Sequence, residues 1–189
     1  MYKDNNVVIA MIGHAYNPFD MIYNEIEILK SCVEEYRKSD EAFFEKVSEL
    51  TGIHLILVND GERLIGVQDC SGMKSCYFGK VKSDIYLTSH PQLVGDICNL
   101  QMDPFVERLV RSRPYNIGNR HLPGNITTFR ELKRLGGNTF VELRLDFQVK
   151  RFYPLRPHDE IRTKGEFRRG VESIVDIIHR NIDLAAQKW

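Results

Sequence analysis

Residues 52–79 read GIHLILVNDGERLIGVQDCSGMKSCYFG, and the fold turns on them. Residues 53–58 are six in a row with only His54 polar, and they stop at Asn59-Asp60-Gly61. A run that short and that apolar, closed by a turn triplet, reads as a strand buried on both faces. The chain returns as a second strand over 64–67, turns at Asp69-Cys70-Ser71-Gly72, and runs out as a third strand over 75–79. These three are expected to form one buried meander. Asp69 opens its turn and is expected to hold backbone N–H groups there, with Gly72 completing the motif. The stretch has no metal-ligand spacing, no phosphate loop and no evident nucleophile.

Towards the N-terminus, residues 7–11 form a short apolar strand that runs into a turn ending at Pro18. Ile22, Ile26, Leu29, Val33 and Tyr36 then recur at steps of four and three, the stripe of an amphipathic helix. Ser39 suits the N-cap of a second helix, with Asp40 and Glu41 in its first turn. Phe43, Val47 and Leu50 line the inner face of that helix, and Gly52 is expected to end it.

Towards the C-terminus, a strand over 84–87 precedes a brief helix holding Leu93 to Ile97. Asp103-Pro104 is an N-cap followed by proline at the first helical position, with Phe105, Val106, Leu109 and Val110 as the buried edge and Pro114 as the stop. Residues 115–125 read as loop. Residues 139–145 alternate, with Val141, Leu143 and Leu145 on one face, and pair with 148–153 as a hairpin. A polar linker leads to a last helix whose Phe167, Val171, Ile174, Ile178, Ile182 and Ala185 form a stripe. Asp176 and Arg180 form an i,i+4 pair on it.

At 189 residues the chain suits one domain with an appended helix. Its 26 basic residues balance 26 acidic ones, which gives no electrostatic footprint for nucleic acid or an anionic membrane. No run approaches the ~20 apolar residues of a membrane span, and no signal peptide opens the chain. Cysteines at 32, 70, 76 and 98 make no C-x-x-C, and the six histidines have no ligand spacing, so no metal site is expected. They are read as reduced, mostly buried thiols of a cytoplasmic protein. A redox role for Cys70 and Cys76 is set aside, because nothing nearby would lower a thiol pKa. Arg111, Arg113, Arg120 and His121 could form an anion site, though a solvated basic face is the simpler reading.

The ordered series Gly52, Asp60, Leu64, Asp69, Gly72, Lys74 and Tyr77 resembles the class II glutamine amidotransferase domain of asparagine synthetases. That domain reads G-x-F-A-F-A-L-x-D and then L-x-L-x-R-D-x-x-G-x-K-P-L-Y-Y. Thr88-Ser89-His90 is similar to its A-S-E. Thr127, Phe129, Leu132, Leu135 and Arg151-Phe152-Tyr153 resemble the domain's closing segment, with Gly136-Gly137 departing from the usual proline. The resemblance implies an α+β fold, a four-layer αββα sandwich of the N-terminal-nucleophile hydrolase type with an appended C-terminal helix. It divides the chain into an amidotransferase-like domain over 1–154, a linker over 155–165 and a helix over 166–189.

In that family an N-terminal cysteine attacks the glutamine amide, with its own α-amino group as base. Here Tyr2 follows Met1, so no catalytic residue is assigned. The family's N-G-E-I-Y-N motif aligns with Ile12-Gly13-His14-Ala15-Tyr16-Asn17, so Ile12 replaces the asparagine that stabilises the oxyanion, a loss of about 10²–10³ in rate. The acid that holds the substrate's α-amino group maps onto Glu25. Gly13, His14 and Glu25 are therefore the residues of a vestigial pocket. An ordinary strand-end histidine and a solvated helix glutamate are the plainer readings of His14 and Glu25. The resemblance implies no cofactor in this chain, with ATP and magnesium belonging to a C-terminal synthetase domain of the same protein. That synthetase domain would be the partner, with a homodimer as a further arrangement and no nucleic acid or membrane. The function implied is structural support and docking for an ATP-dependent, asparagine-synthase-like amide-forming ligase. The alternative is a glutamine-hydrolysing or small-molecule-binding domain whose nucleophile segment is absent from this chain.

Overall fold

Alternation along β3 (Thr51–Asn59) decides the layering. The computed structural model describes residues 1–118, 120–154 and 160–188. In it Ile56 and Val58 join one hydrophobic cluster and Leu55 and Leu57 the other, as the two-residue period of a strand dictates. β3 is thus buried on both faces, as its unbroken apolar run requires.

Around it runs a six-stranded antiparallel sheet in the order β1-β2-β3-β4-β8-β9. Its other strands are β1 (Tyr2–Asp4), β2 (Val7–Tyr16), β4 (Leu64–Gln68), β8 (Thr139–Leu143) and β9 (Phe147–Arg151). One face is covered by α1 (Glu25–Lys38) and α2 (Asp40–Ser48). Ile28, Leu29 and Val33 of α1 and Phe43, Phe44 and Val47 of α2 meet Ile9, Ile56, Val58, Ile65 and Val67 there. Phe44 stacks on Phe140 at 4.2 Å and on Phe152 at 5.7 Å, which ties α2 to the β8 end of the same face. Each such buried side chain contributes about 1.5–3 kcal/mol.

The expected three-stranded meander is not what forms. β3 and β4 are paired, but β4 takes β8 as its next neighbour, and the third strand crosses to a second sheet. That sheet has the order β6-β5-β7, with β5 (Tyr77–Val81), β6 (Asp84–Thr88) and β7 (Leu132–Arg134). The reason lies in the two faces of β5. Phe78 packs with Leu55, Val141 and Leu143 between the sheets, while Val81 joins Leu132, Phe129 and Val94 on the far side. Only a strand covered on both sides satisfies both residues. The far side is closed by α3 (Pro91–Cys98), with α4 (Pro104–Arg111) and the single-turn α5 (Arg113–Ile117) following. The layers run α, β, β, α, with α6 (Lys164–Lys188) appended.

The caps behave as their chemistry predicts. Ser39 Oγ accepts from Ala42 N at 3.1 Å and Asp103 Oδ1 from Phe105 N at 2.8 Å, each worth about 1 kcal/mol. Asn24, not foreseen, caps α1 by accepting from the N–H groups of Ile26 and Glu27. It starts the helix at Glu25, so the inner face is Ile28, Leu29, Cys32 and Val33, whereas Ile22 precedes the helix and Ile26 is exposed. Gly52 does not end α2. It lies inside β3, and the helix stops at Ser48. β2 is longer than expected and extends through Tyr16. Of the edge proposed for α4 only Val106 is buried and Phe105 is exposed, while Pro114 sits inside α5 and begins no loop. Leu145 is 93% exposed at the tip of the β8–β9 hairpin, off the apolar face of Val141 and Leu143.

The last helix forms, and Asp176 and Arg180 pair on it at 2.8 Å. Its stripe faces outward: Phe167, Val171, Ile174, Ile178 and Ile182 are all exposed. A different face meets the sandwich. Leu184 is fully buried, Arg180 Nη1 donates to Pro18 O at 3.4 Å, and Asn181 hydrogen-bonds the Thr51 hydroxyl. Of the linker, residues 155–159 lie outside the described residues. Among the described residues no helix is long and apolar enough to cross a membrane.

Candidate functional site

Gly13 and His14 sit where β2 leans hardest on β3. Gly13 pairs with His54, and Ala15 with Gly52. Gly13 and Gly52 have φ of 109° and 113°, a region nearly closed to other residues. A Cβ on Gly13 would lie 2.1 Å from Ile53 O, and one on Gly52 2.5 Å from His14 O. Two glycines let the backbones approach, and His14 lies between these two close pairs, opposite Ile53. Ile12 is apolar and half exposed.

Glu25 opens α1, and Lys188 at the end of α6 bonds its carboxylate. The same ammonium lies 5.2 Å from the Tyr16 ring centroid, and the His14 ring is 5.9 Å from that ring. Burial works against the charge on Glu25. Lys188, the backbone N–H of Glu25 and His14 outweigh it, so the carboxyl stays below its usual range. His14 and Glu25 thus share one neighbourhood, while Gly13 faces Ile53 and His54, and the acid is already paired with a cation of this chain. Sequence reasoning did not include Lys188. It lies 163 residues from Glu25, and no local spacing links them.

Asp69 and Gly72 form a separate, structural unit. Asp69 Oδ1 accepts from Ser71 N at 3.0 Å, Ser71 Oγ at 2.6 Å and Met73 N at 3.2 Å, while Oδ2 accepts from Lys74 N at 2.9 Å. Burial would raise the pKa of its carboxyl. The hydrogen bonds from Ser71, Lys74 and Met73 prevail and hold it low. With three backbone N–H groups and the Ser71 hydroxyl bonded to its carboxylate, Asp69 holds the turn closed.

A second group escaped the sequence reading. His54 is 1% exposed, and neither ring nitrogen has a hydrogen-bond partner among the described residues. It borders a cavity of about 220 Å³ with Val47, Leu50, Thr51, Asp69 and Phe152. Burial pushes the imidazole pKa down from 6.5 to about 4, against the opposing pull of Asp69. The folded chain therefore binds this proton less readily than the unfolded chain. Stability is independent of His54 above about pH 6.5 and is lost as the pH falls from there towards 4, by about 3 kcal/mol in all. Burial also opposes the charge on Asp60, but the Tyr36 hydroxyl and the N–H groups of Arg63 and Glu62 hold its pKa at about 2, below that window. Urea midpoints measured between pH 7 and pH 4 should show the slope, and His54→Leu should flatten it. An unchanged slope in H54L would assign it to other groups.

Burial pushes the thiols of Cys32 and Cys76 up to about 12. Cys70 is exposed on the Asp69 turn. Among the described residues no cluster of His, Cys, Asp or Glu could hold a metal ion.

No protein-family model and no curated protein sequence matches this chain. Solved structures do. One, described as the structure of the allosteric regulatory enzyme of purine biosynthesis, superposes with a TM-score of 0.51 at 11% identity over 78% of this chain and 29% of its own. Another, a glutamine phosphoribosylpyrophosphate amidotransferase from B. subtilis complexed with ADP and GMP, gives 0.51 at 11% identity over 82% and 31%. At this identity the likeness is one of fold, and this chain spans about three-tenths of the length of each. The four layers and the superpositions show an α+β, four-layer αββα fold like that of these two enzymes, with a C-terminal helix added.

Proposed function

We propose that this chain is an amidotransferase-like domain without glutaminase chemistry, acting as the structural and docking half of an asparagine-synthase-like, ATP-dependent amide-forming ligase. The observation that carries this reading is the Glu25–Lys188 pair. A carboxylate that would hold a substrate's ammonium is engaged by an ammonium of the chain itself, and that ammonium also lies against Tyr16. A ligand amino group would have to displace a tethered, charge-assisted bond. Ile12 offers no donor to an oxyanion, and the thiols of Cys32 and Cys76 are buried and protonated at neutral pH.

The docking part rests on α6, whose apolar stripe is turned away from the sandwich. A continuous exposed stripe of this kind is characteristic of an interface. The ligase assignment rests on the ordered motif residues 52–77 together with the fold. ATP and magnesium would be bound by the synthetase domain and not by this one.

This chain is expected to release no ammonia from glutamine above background in a coupled glutamate dehydrogenase assay. Turnover that cysteine alkylation abolishes would overturn the proposal.

A further inference from the structure

The arginines near residue 120 separate in the structure. Arg111 is paired with Glu107 on α4 at 2.6 Å. Arg120 and His121 instead line a cavity of about 250 Å³ on the outer side of the second sheet, and Arg134 joins them from β7. Tyr77, Tyr115 and Thr128 complete its polar wall, and no carboxylate is among the described residues that line it.

That composition is unusual for this chain, whose charges balance at 26 and 26. Arg63 is surrounded by Asp40, Asp60 and Glu142, Arg130 meets Asp103, and Arg37 meets Asp4. Arg120 and Arg134 have no acidic partner within 4 Å among the described residues. Both are exposed, with the Arg134 side chain and the Arg120 backbone held in place. Arg134 pairs across the sheet with Tyr77, its N–H donates to Asn125 O at 2.9 Å, and its Nη2 donates to Gly72 O at 3.2 Å. The rest of its five-donor guanidinium stays unspent. Arg120 has φ of 54°, and its carbonyl accepts from the Tyr115 hydroxyl at 2.7 Å.

We propose that this cavity binds the phosphate group of a small phosphorylated molecule. Two guanidinium forks around one concavity match the several oxygens of a phosphate. A dianion neutralises both, whereas a single carboxylate leaves one uncompensated. The volume lies just below the range of about 300–1,000 Å³ for pockets that enclose a drug-sized ligand, so it suits a phosphate and the few atoms next to it. A zero net charge and a concavity of this size do not suit a nucleic acid backbone.

The test uses the full chain, ¹⁵N-labelled, titrated with inorganic phosphate against chloride at constant ionic strength, with acetate as a parallel arm. Saturable amide shifts confined to Tyr77, Thr128, Arg134 and their neighbours at low-millimolar phosphate are expected, with acetate at least about tenfold weaker. The double variant R120N/R134Q should weaken phosphate about tenfold or more with an unchanged far-ultraviolet spectrum. Asparagine is chosen because it tolerates the left-handed backbone at position 120, and R134Q alone serves if the double variant does not fold. Shifts that do not saturate, acetate binding as tightly as phosphate, or full affinity in the folded variant would each overturn the proposal.

Discussion

Gly13→Ala is expected to remove about 3–5 kcal/mol of stability, enough to unfold much of a marginally stable domain. Two costs combine. The φ of 109° is strained for any residue with a Cβ, by about 1–3 kcal/mol. The new methyl would lie 2.1 Å from Ile53 O, a backbone atom in the middle of a sheet that can yield only if β2 and β3 part. Gly124→Ala is the control, since its φ is also positive but nothing lies within 4 Å of a built Cβ. It should cost about 1 kcal/mol. Urea denaturation of the two variants separates the outcomes, and equal losses would show that close strand approach is not what requires Gly13.

Asp69→Ala should cost about 3 kcal/mol. Three backbone N–H groups and the Ser71 hydroxyl lose their acceptor at a site where Asp69 itself is 1% exposed, and unpaired buried donors cost about 1–3 kcal/mol each before relaxation. Asp69→Asn keeps one acceptor oxygen and should lose about half as much. The carboxyl pKa lies below 3.8 in the folded state, so this stabilisation is complete above that value and fades as the pH falls through the lowered pKa. Amide exchange at Met73 and Lys74 provides the local check. If it stays as slow in D69A as in the parent, the turn is held by something else.

Much of the architecture could be read from local chemistry, because caps and apolar runs are local. Ser39, Asp103 and the β3 run announce themselves within a few residues. Strand partnership is different. The composition of β5 says that it is a strand, but whether it lies beside β4 depends on β8, more than fifty residues further along, occupying that edge. Gly52 misled for a related reason: a helix stop and a close strand crossing both call for glycine, and only the tertiary contact with His14 distinguishes them. The stripe on α6 is legible as a stripe, yet the face that docks is marked by Leu184 and Asn181, which look unremarkable beside five regularly spaced apolar side chains. Of the candidate site, Gly13, His14 and Glu25 rest on resemblance alone, and the structure brings His14 and Glu25 near one another. The cation that engages Glu25, and the unpartnered imidazole of His54, depend on long-range packing that no spacing records.

The order of the six-stranded sheet also bears on solubility. An open sheet ends in two rows of unsatisfied N–H and C=O groups, and any extended chain can add to them. Here one border is β1, only three residues long. The other is β9, which is largely exposed and carries Gln148, Lys150 and Arg151. Neither border is both long and apolar. A foreign strand would find too few bonds on one side and would have to approach cations on the other, so the sheet guards itself against growing into fibrils.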